Sequence, residues 1–280
     1  MSAPNKPHIF IDSGAFSAWT KKEVISLPDY IAYLQDLLTR TKDVVYANLD
    51  VIGDGEQSYA NWKTMRGAGL DPVPIWHVNT DESWLRKYLK RSEYIGIGAM
   101  ANMHDNDRIQ VLDRVWQTYL IGPDRQPTVK VHGMGLTSFP LMRRYPWYSV
   151  DSTSWIMVAA FGSIYVPQQK NGEWDYTKPP MIVTVSVESP KGPQKGQHFK
   201  TFGPLEKVSI LRYVKDCGYT MGKGHMKGTG DEAECVVEEP GIATSRDDRA
   251  CMNAWFFARF MATLPYPRPF RHVLAKGLFA

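Results

Sequence analysis

Short apolar runs alternate with amphipathic segments from the N-terminus to about residue 162. HIFID precedes a helical pattern in PDYIAYLQDLLTR, VVYANLD precedes QSYANWKTMRGAG, and VPIWHV precedes SWLRKYLKRS. YIGIGAM is followed by DRIQVLDRVWQTYL, TVKVHG by SFPLMRRY, and YSVD by SWIMVAAF, which makes six strand–helix pairs in a row. In the first helix Ile31, Leu34, Leu37 and Leu38 recur at helical spacing, and Pro28 suits an opening turn. Such alternation predicts a parallel sheet, either a closed barrel or an open doubly wound sheet.

The strand ends separate the two architectures. They fall at Asp12, Asp50, His77, Gly98, His132-Gly133 and Asp151, so polar or glycine residues gather at every carboxyl end. A (β/α)8 TIM barrel uses that whole ring of loops as its active face. An open sheet usually carries a Gly-rich phosphate loop after its first strand, and DSGAFS is neither a dinucleotide fingerprint nor a P-loop. The expected fold is therefore α/β, a single (β/α)8 TIM-barrel domain over residues 1–280. After residue 162 the rhythm breaks: PQQKNGEWDYTKPP, the strand-like MIVTVSV and the polar ESPKGPQKGQHFKTFG read as an insertion at about 167–203, after the sixth βα unit. A helix near LEKVSILRYVKDCG, a Gly-rich acidic stretch over 219–241 and a late helix in DDRACMNAWFFARFMATL follow.

Composition narrows the class only a little. With 43% hydrophobic and 22% charged residues the chain is an ordinary globular one, and disorder is not expected over most of it. The net charge of +4 and pI near 8.8 permit a polyanionic partner without demanding one. Cys217, Cys235 and Cys251 are too widely spaced for a disulfide framework or a zinc knuckle, and adding His225 supplies no metal spacing. A reduced, cytoplasmic protein is the expectation. MSAPNKPHIFID has no signal-peptide core, and the apolar run at 155–166 is shorter than the ~20 residues of a membrane span.

Asp12, Asp50 and Asp151 each close an apolar run, so a barrel would aim all three at one pocket. Convergent carboxylates make either a metal site or a nucleophile with an acid/base partner, whereas any one of them alone is equally a helix N-cap. A basic region, Lys170, Lys178, Lys191, Lys195, His198 and Lys200, together with Arg143 and Arg144, offers contacts to phosphates; as a charge run it also suits a solvated face.

DSGAFSAW, the LD of strand two, IGIGAMA, and VHGMGLTSFPLMRRYPWYSVDSTSW, in that order over roughly residues 8–160, resemble the tRNA-guanine transglycosylase superfamily (queuine tRNA-ribosyltransferase-like). The CxCxxC zinc segment of its tRNA-modifying members has no counterpart here, and Ala15 stands where they have the second glycine of DSGG. The compact chain is more similar to the phage-type deazapurine DNA transglycosylases. That resemblance implies Asp151 as nucleophile and Asp12 as general acid/base, with no metal and no cofactor. It implies Asp50 as the acceptor for a guanine edge, and Ser13, Phe16, Gly98, Gly133 and Met134, or Trp155, around the base. His77 takes the place of a glutamine that contacts the base, and His132 that of a residue lining the ring; for both, a satisfied polar core residue is the alternative. The implied partners are DNA, alternatively tRNA, and a free 7-deazaguanine such as preQ0, in the cytoplasm (the host's, for a phage-encoded chain). The competing classes are a metal-dependent TIM-barrel hydrolase using His77, His132 and the aspartates, and a binding subunit on a degenerate barrel.

Overall fold

A computed structural model describes residues 9–41, 43–101, 103–136, 138–189, 197–228 and 233–271. The chain divides into two compact units: Met1–Ser152 with Tyr266–Ala280, and Thr153–Pro265, which is inserted between those two stretches.

In the first unit β1 (Ile9–Ile11) pairs in parallel with β2 (Val44–Tyr46). β3 (Ile75–His77), β4 (Tyr94–Gly98), β5 (Lys130–Gly133) and β6 (Ser149–Val150) form a second parallel set in sequence order. A parallel bridge from Ala47 to Val73 joins the two sets, with Asn48 N–H donating to Val73 O and Val73 N–H to Tyr46 O. The helices between them are α1 (Ala15–Lys21), α2 (Leu27–Arg40), α3 (Gly55–Gly67), α4 (Glu82–Leu89), α5 (Asp105–Val115), which runs on into a π turn at Trp116–Leu120, and α6 (Phe139–Arg144). Local chemistry starts them where the pattern predicts. Ser26, Asp54 and Asp81 accept the N–H groups of Asp29, Gln57 and Ser83, and Pro28 sits in the first turn of α2.

The sheet curls. In a flat sheet β1 and β5, four strands apart, would lie ~19 Å from each other. Instead the Phe10 ring of β1 stacks on the His132 ring of β5, 4.3 Å between centroids and 7° from parallel. The concave face is packed by Ala47, Val73 and Ile75 with Phe10, Val45, Tyr94 and Met134. The convex face packs Ile11, Val44 and Tyr46 under Tyr30, Leu34, Met65 and Leu70 of the helical layer. Alternate residues thus point in and out, as strand geometry requires. Among the described residues β6 pairs only with β5, and no ring of strands closes. The tail of this unit returns to it: Phe270 N–H donates to Arg125 O, Arg125 Nε donates back to Phe270 O, and the Phe270 ring stacks against Tyr145.

The second unit is built differently. β7 (Ser163–Val166) pairs antiparallel with β10 (Met181–Thr184), and β8 (Gln168–Lys170) with β9 (Glu173–Asp175) makes a short hairpin. α7 (Ser154–Ala160), α8 (Pro204–Asp216) and α9 (Arg246–Ala262) accompany them around a core of Ile164, Val183, Ile210, Tyr213 and Met252. Buried Asn253 locks α9 to its neighbours, accepting from Tyr165 N–H and donating to the carbonyls of Trp155 and Ser163. The stretch at 167–203 lies inside this unit, as does the Gly-rich acidic stretch at 219–241. Two strands of the latter pair antiparallel, β11 (Lys223–Lys227) with β12 (Glu234–Glu239), and are stitched by Lys223–Glu239 and His225–Glu238 at 2.5 and 2.7 Å. Polar pairs across the strands replace the apolar alternation that would have announced them. No helix among the described residues is long and apolar enough to cross a membrane.

Candidate active site at the strand ends

Strand alternation continues past the apolar core into the polar residues. Phe10 faces inward, so Asp12 does too; the same step of two carries Ile75 to His77, Tyr94 to Gly96 and Gly98, and Ser149 to Asp151. The sequence periodicity that buries the core therefore aims Asp12, His77, Gly98 and Asp151 at one concave surface, whereas Asp50 follows a break in the alternation after Ala47.

Asp50 is buried, and both its oxygens are engaged. Ser13 Oγ donates to Oδ1 at 3.0 Å, and His77 Nε2 meets Oδ2 at 2.8 Å. Gly53 N–H donates to His77 Nδ1, so that nitrogen is unprotonated and Nε2 carries the hydrogen given to Asp50. His77 is thus turned to the Asp50 carboxylate. Gly98 makes room for it: a Cβ there would lie 3.1 Å from His77 Cδ2. Ser13 in turn accepts from Ala15 N–H.

A second carboxylate–histidine pair forms around Asp151, whose side chain is 47% exposed. Its Oδ1 receives Gly135 N–H at 2.7 Å and His132 Nε2 at 3.1 Å. Gly135 has φ +60°, a left-handed turn that presents its N–H to the carboxylate. His132, 2% exposed, is stacked on Phe10 and bonded through Nδ1 to Ser149 Oγ at 2.7 Å. Tyr94 OH completes the chain, 2.6 Å from the same serine oxygen.

Asp12 lies between these pairs electrostatically. Its carboxyl is held above the usual carboxylate range, first by the surrounding protein's exclusion of water, then by the negative charges of Asp50 and Asp151. The N–H groups of Ser13 and Gly14 pull the other way. Burial and two like charges thus both disfavour the ionised form of Asp12, the direction a general acid requires.

The other expected residues scatter in role. Met134 is half-buried among the concave-face side chains, and Gly133 packs tightly beneath Leu136 and Trp147. Phe16 on α1 is exposed beside Trp19, with 6.0 Å between ring centres. A cleft of about 390 Å³ opens at Asp50, lined by Ala15, Ala18, Trp19, Leu49, Val51 and Gln57 among others. A larger one, about 880 Å³, opens at the amino ends of the strands beside Val44, Glu93 and Lys130. Volume alone would choose the latter, but the carboxylates are at the opposite ends.

Arg144 is committed to Asp113, with Nε and Nη2 bonded to its two oxygens at 2.7 and 2.5 Å, and that forked pair is a structural clamp. Arg143 is half-buried on the same helix. In the second unit Lys170, Lys178 and Lys200 are exposed, but His198 is buried, its ring held toward neutrality by loss of water, so it adds no charge to that basic face. Lys191 and Lys195 lie outside the described residues. Cys217, Cys235 and Cys251 are free thiols. Among the described residues no three His, Cys, Asp or Glu side chains gather as metal ligands.

Sequence reasoning passed over Tyr94, Ser149, Gly135 and Phe10. Three of them had a signal: Tyr94, Ser149 and Phe10 are inward positions of strands already recognised, each an even number of residues from a named candidate. Compared with models of known protein families, with curated proteins and with solved structures, the chain finds no match.

Proposed function

We propose that this chain is a base-exchange glycosyltransferase that replaces guanine in DNA with a 7-deazaguanine, and that its curled six-strand sheet belongs to a (β/α)8-type barrel. The observation that carries the reading is the pairing of two unlike carboxyls: Asp12, biased toward its protonated form, and Asp151, held by donors on one oxygen with no hydrogen bond to the other among the described residues. Double displacement at an anomeric carbon needs that division of labour.

Asp151 Oδ2 attacks C1′ of the target nucleotide, and the C1′–N9 bond breaks with its electron pair passing to the base. Asp12 gives its proton to the departing guanine. The incoming deazapurine then loses its N9 proton to the Asp12 carboxylate, N9 attacks C1′, and the C1′–Oδ2 bond returns its pair to Asp151. Configuration is retained and both acids end as they began. Asp50, pre-set by Ser13 and His77, keeps lone pairs for a guanine N1–H and amine. A target base in a duplex must be flipped out to reach this surface.

The decisive experiment incubates the protein with guanine-containing duplex DNA and labelled preQ0. Label in DNA is the expected result; label in tRNA alone would move the substrate to RNA, and label in neither would sink the reading. The hydrolase alternative has less support, since His77 and His132 each face a separate carboxylate.

A further inference from the structure

With His132 neutral, Asp151 stands at the end of a one-way chain of hydrogen bonds through His132, Ser149 and Tyr94. An ionised carboxylate can only accept, so the hydrogen in the His132–Asp151 contact belongs to His132 Nε2, 3.1 Å from Oδ1. A neutral ring with Nε2–H has a bare Nδ1, and that nitrogen accepts from Ser149 Oγ–H at 2.7 Å. Having given up its hydrogen, the Ser149 oxygen accepts from Tyr94 O–H at 2.6 Å. Burial holds the Tyr94 phenol above its ordinary value, which keeps it a donor. The imidazole cannot turn to exchange its nitrogens without breaking both bonds, and the parallel Phe10 ring at 4.3 Å confines its plane. Gly135 N–H supplies the second donor to Oδ1 at 2.7 Å. Oδ2 has no hydrogen bond from the described residues, and the half-exposed side chain leaves it open to an incoming group.

We propose that His132, fixed in its Nε2–H form by the Tyr94–Ser149 relay, is a positioning residue for Asp151: it holds Oδ1 and thereby selects Oδ2 as the oxygen that bonds to C1′. The inference rests on the transglycosylase reading for the identity of the bond formed, though not for the hydrogen-bond chain itself. In the covalent intermediate Oδ2 is esterified and Oδ1 becomes a carbonyl oxygen. Donors bond a carboxylate more strongly than an ester carbonyl. The His132 and Gly135 donors therefore stabilise Asp151 as it leaves in the second step, and they keep the ester from becoming a trap. This role differs from contact with the base: it acts on the lifetime of the intermediate, not on which base is chosen.

Two measurements test it. The first reads the tautomer without activity, by long-range proton–nitrogen NMR of the histidine rings in the full chain, assigned with His132→Asn. His132 is expected as the neutral Nε2–H form; an Nδ1–H ring would overturn the proposal. The second traps the protein–DNA adduct on denaturing gels and follows its decay after preQ0 is added. In His132→Asn, which loses the Nε2 donor, decay should slow roughly ten- to hundredfold, the worth of one charge-assisted hydrogen bond. His132→Gln, which returns a donor at that reach, should recover most of the rate with base preference unchanged. Adduct decay in His132→Asn equal to the wild type's would overturn the proposal. If the unaltered protein forms neither adduct nor exchanged DNA, the transglycosylase reading falls, and the tautomer still decides whether His132 positions Asp151.

Discussion

Asp12 and Asp151 are the same amino acid at equivalent strand ends, and their surroundings set them apart. Asp151 is given two strong donors, whereas Asp12 is crowded by protein and by two carboxylates. For Asp12 the consequence reaches stability. Its folded-state value lies above the unfolded one, so folding takes up a proton in the window between them, and its contribution turns against folding as pH rises through that window. Asp12→Asn should therefore melt at a higher temperature than the parent at pH 7, with the difference closing as pH falls below about 4, read by calorimetry across pH. The same variant should exchange bases on the order of 10²- to 10⁴-fold more slowly, the usual worth of a general acid. Asp151→Asn should lose activity by at least on the order of 10³-fold and form no adduct on denaturing gels, whereas in Asp12→Asn some adduct should persist. The aspartates themselves were legible, since a carboxylate closing an apolar run stands out. Their unlike environments were not, because the shift on Asp12 comes from residues distant in sequence.

At the scale of elements, the period of two in each strand does the placing, and turns refine it. Gly135 shows the second part. A Cβ there would meet nothing, so Gly135→Ala has room, but its φ of +60° costs an L-residue about 1–2 kcal/mol. If the turn relaxes to avoid that cost, the N–H leaves Asp151. The expected outcome is a modest fall in thermal stability with a larger fall in exchange rate, measured side by side. α6 shows the opposite case, an element whose charge is structural. Arg144→Ala would leave Asp113, 5% exposed, without its forked partner, at a cost of roughly 2–3 kcal/mol after allowing for the partly exposed guanidinium, in denaturant unfolding. Its affinity for DNA should stay within error of the parent. A basic residue on a short helix looks the same in sequence whether it faces phosphate or a buried aspartate; only the partner, 31 residues away, decides.

At the scale of the whole chain, the sequence of one unit interrupts that of the other. Thr153–Pro265 has its own core, its own antiparallel strands and a helix, α9, tied in by Asn253 and by Arg249, which donates to the carbonyls of Ala159 and Ile242. Each of those bonds closes within the unit. Residues 153–265 expressed alone should therefore unfold in a single cooperative thermal transition, and a noncooperative melt would show that their core needs the rest of the chain. The break in rhythm after residue 162 marks an insertion but neither its full extent nor the return to the first unit, which is made by a few residues around Phe270 whose partners lie at Trp116, Arg125 and Tyr145. What the sequence determined by itself is local: six parallel strands with the helices between them, their caps, and polar residues at the carboxyl ends, all of which follow from periodicity and side-chain chemistry within a few residues. What tertiary structure alone decided is which groups meet. The curl that lays Phe10 on His132, the donors on a single oxygen of Asp151, and the crowding of Asp12 by two other carboxylates all depend on contacts between strands far apart in the chain, and no local pattern encodes such distances.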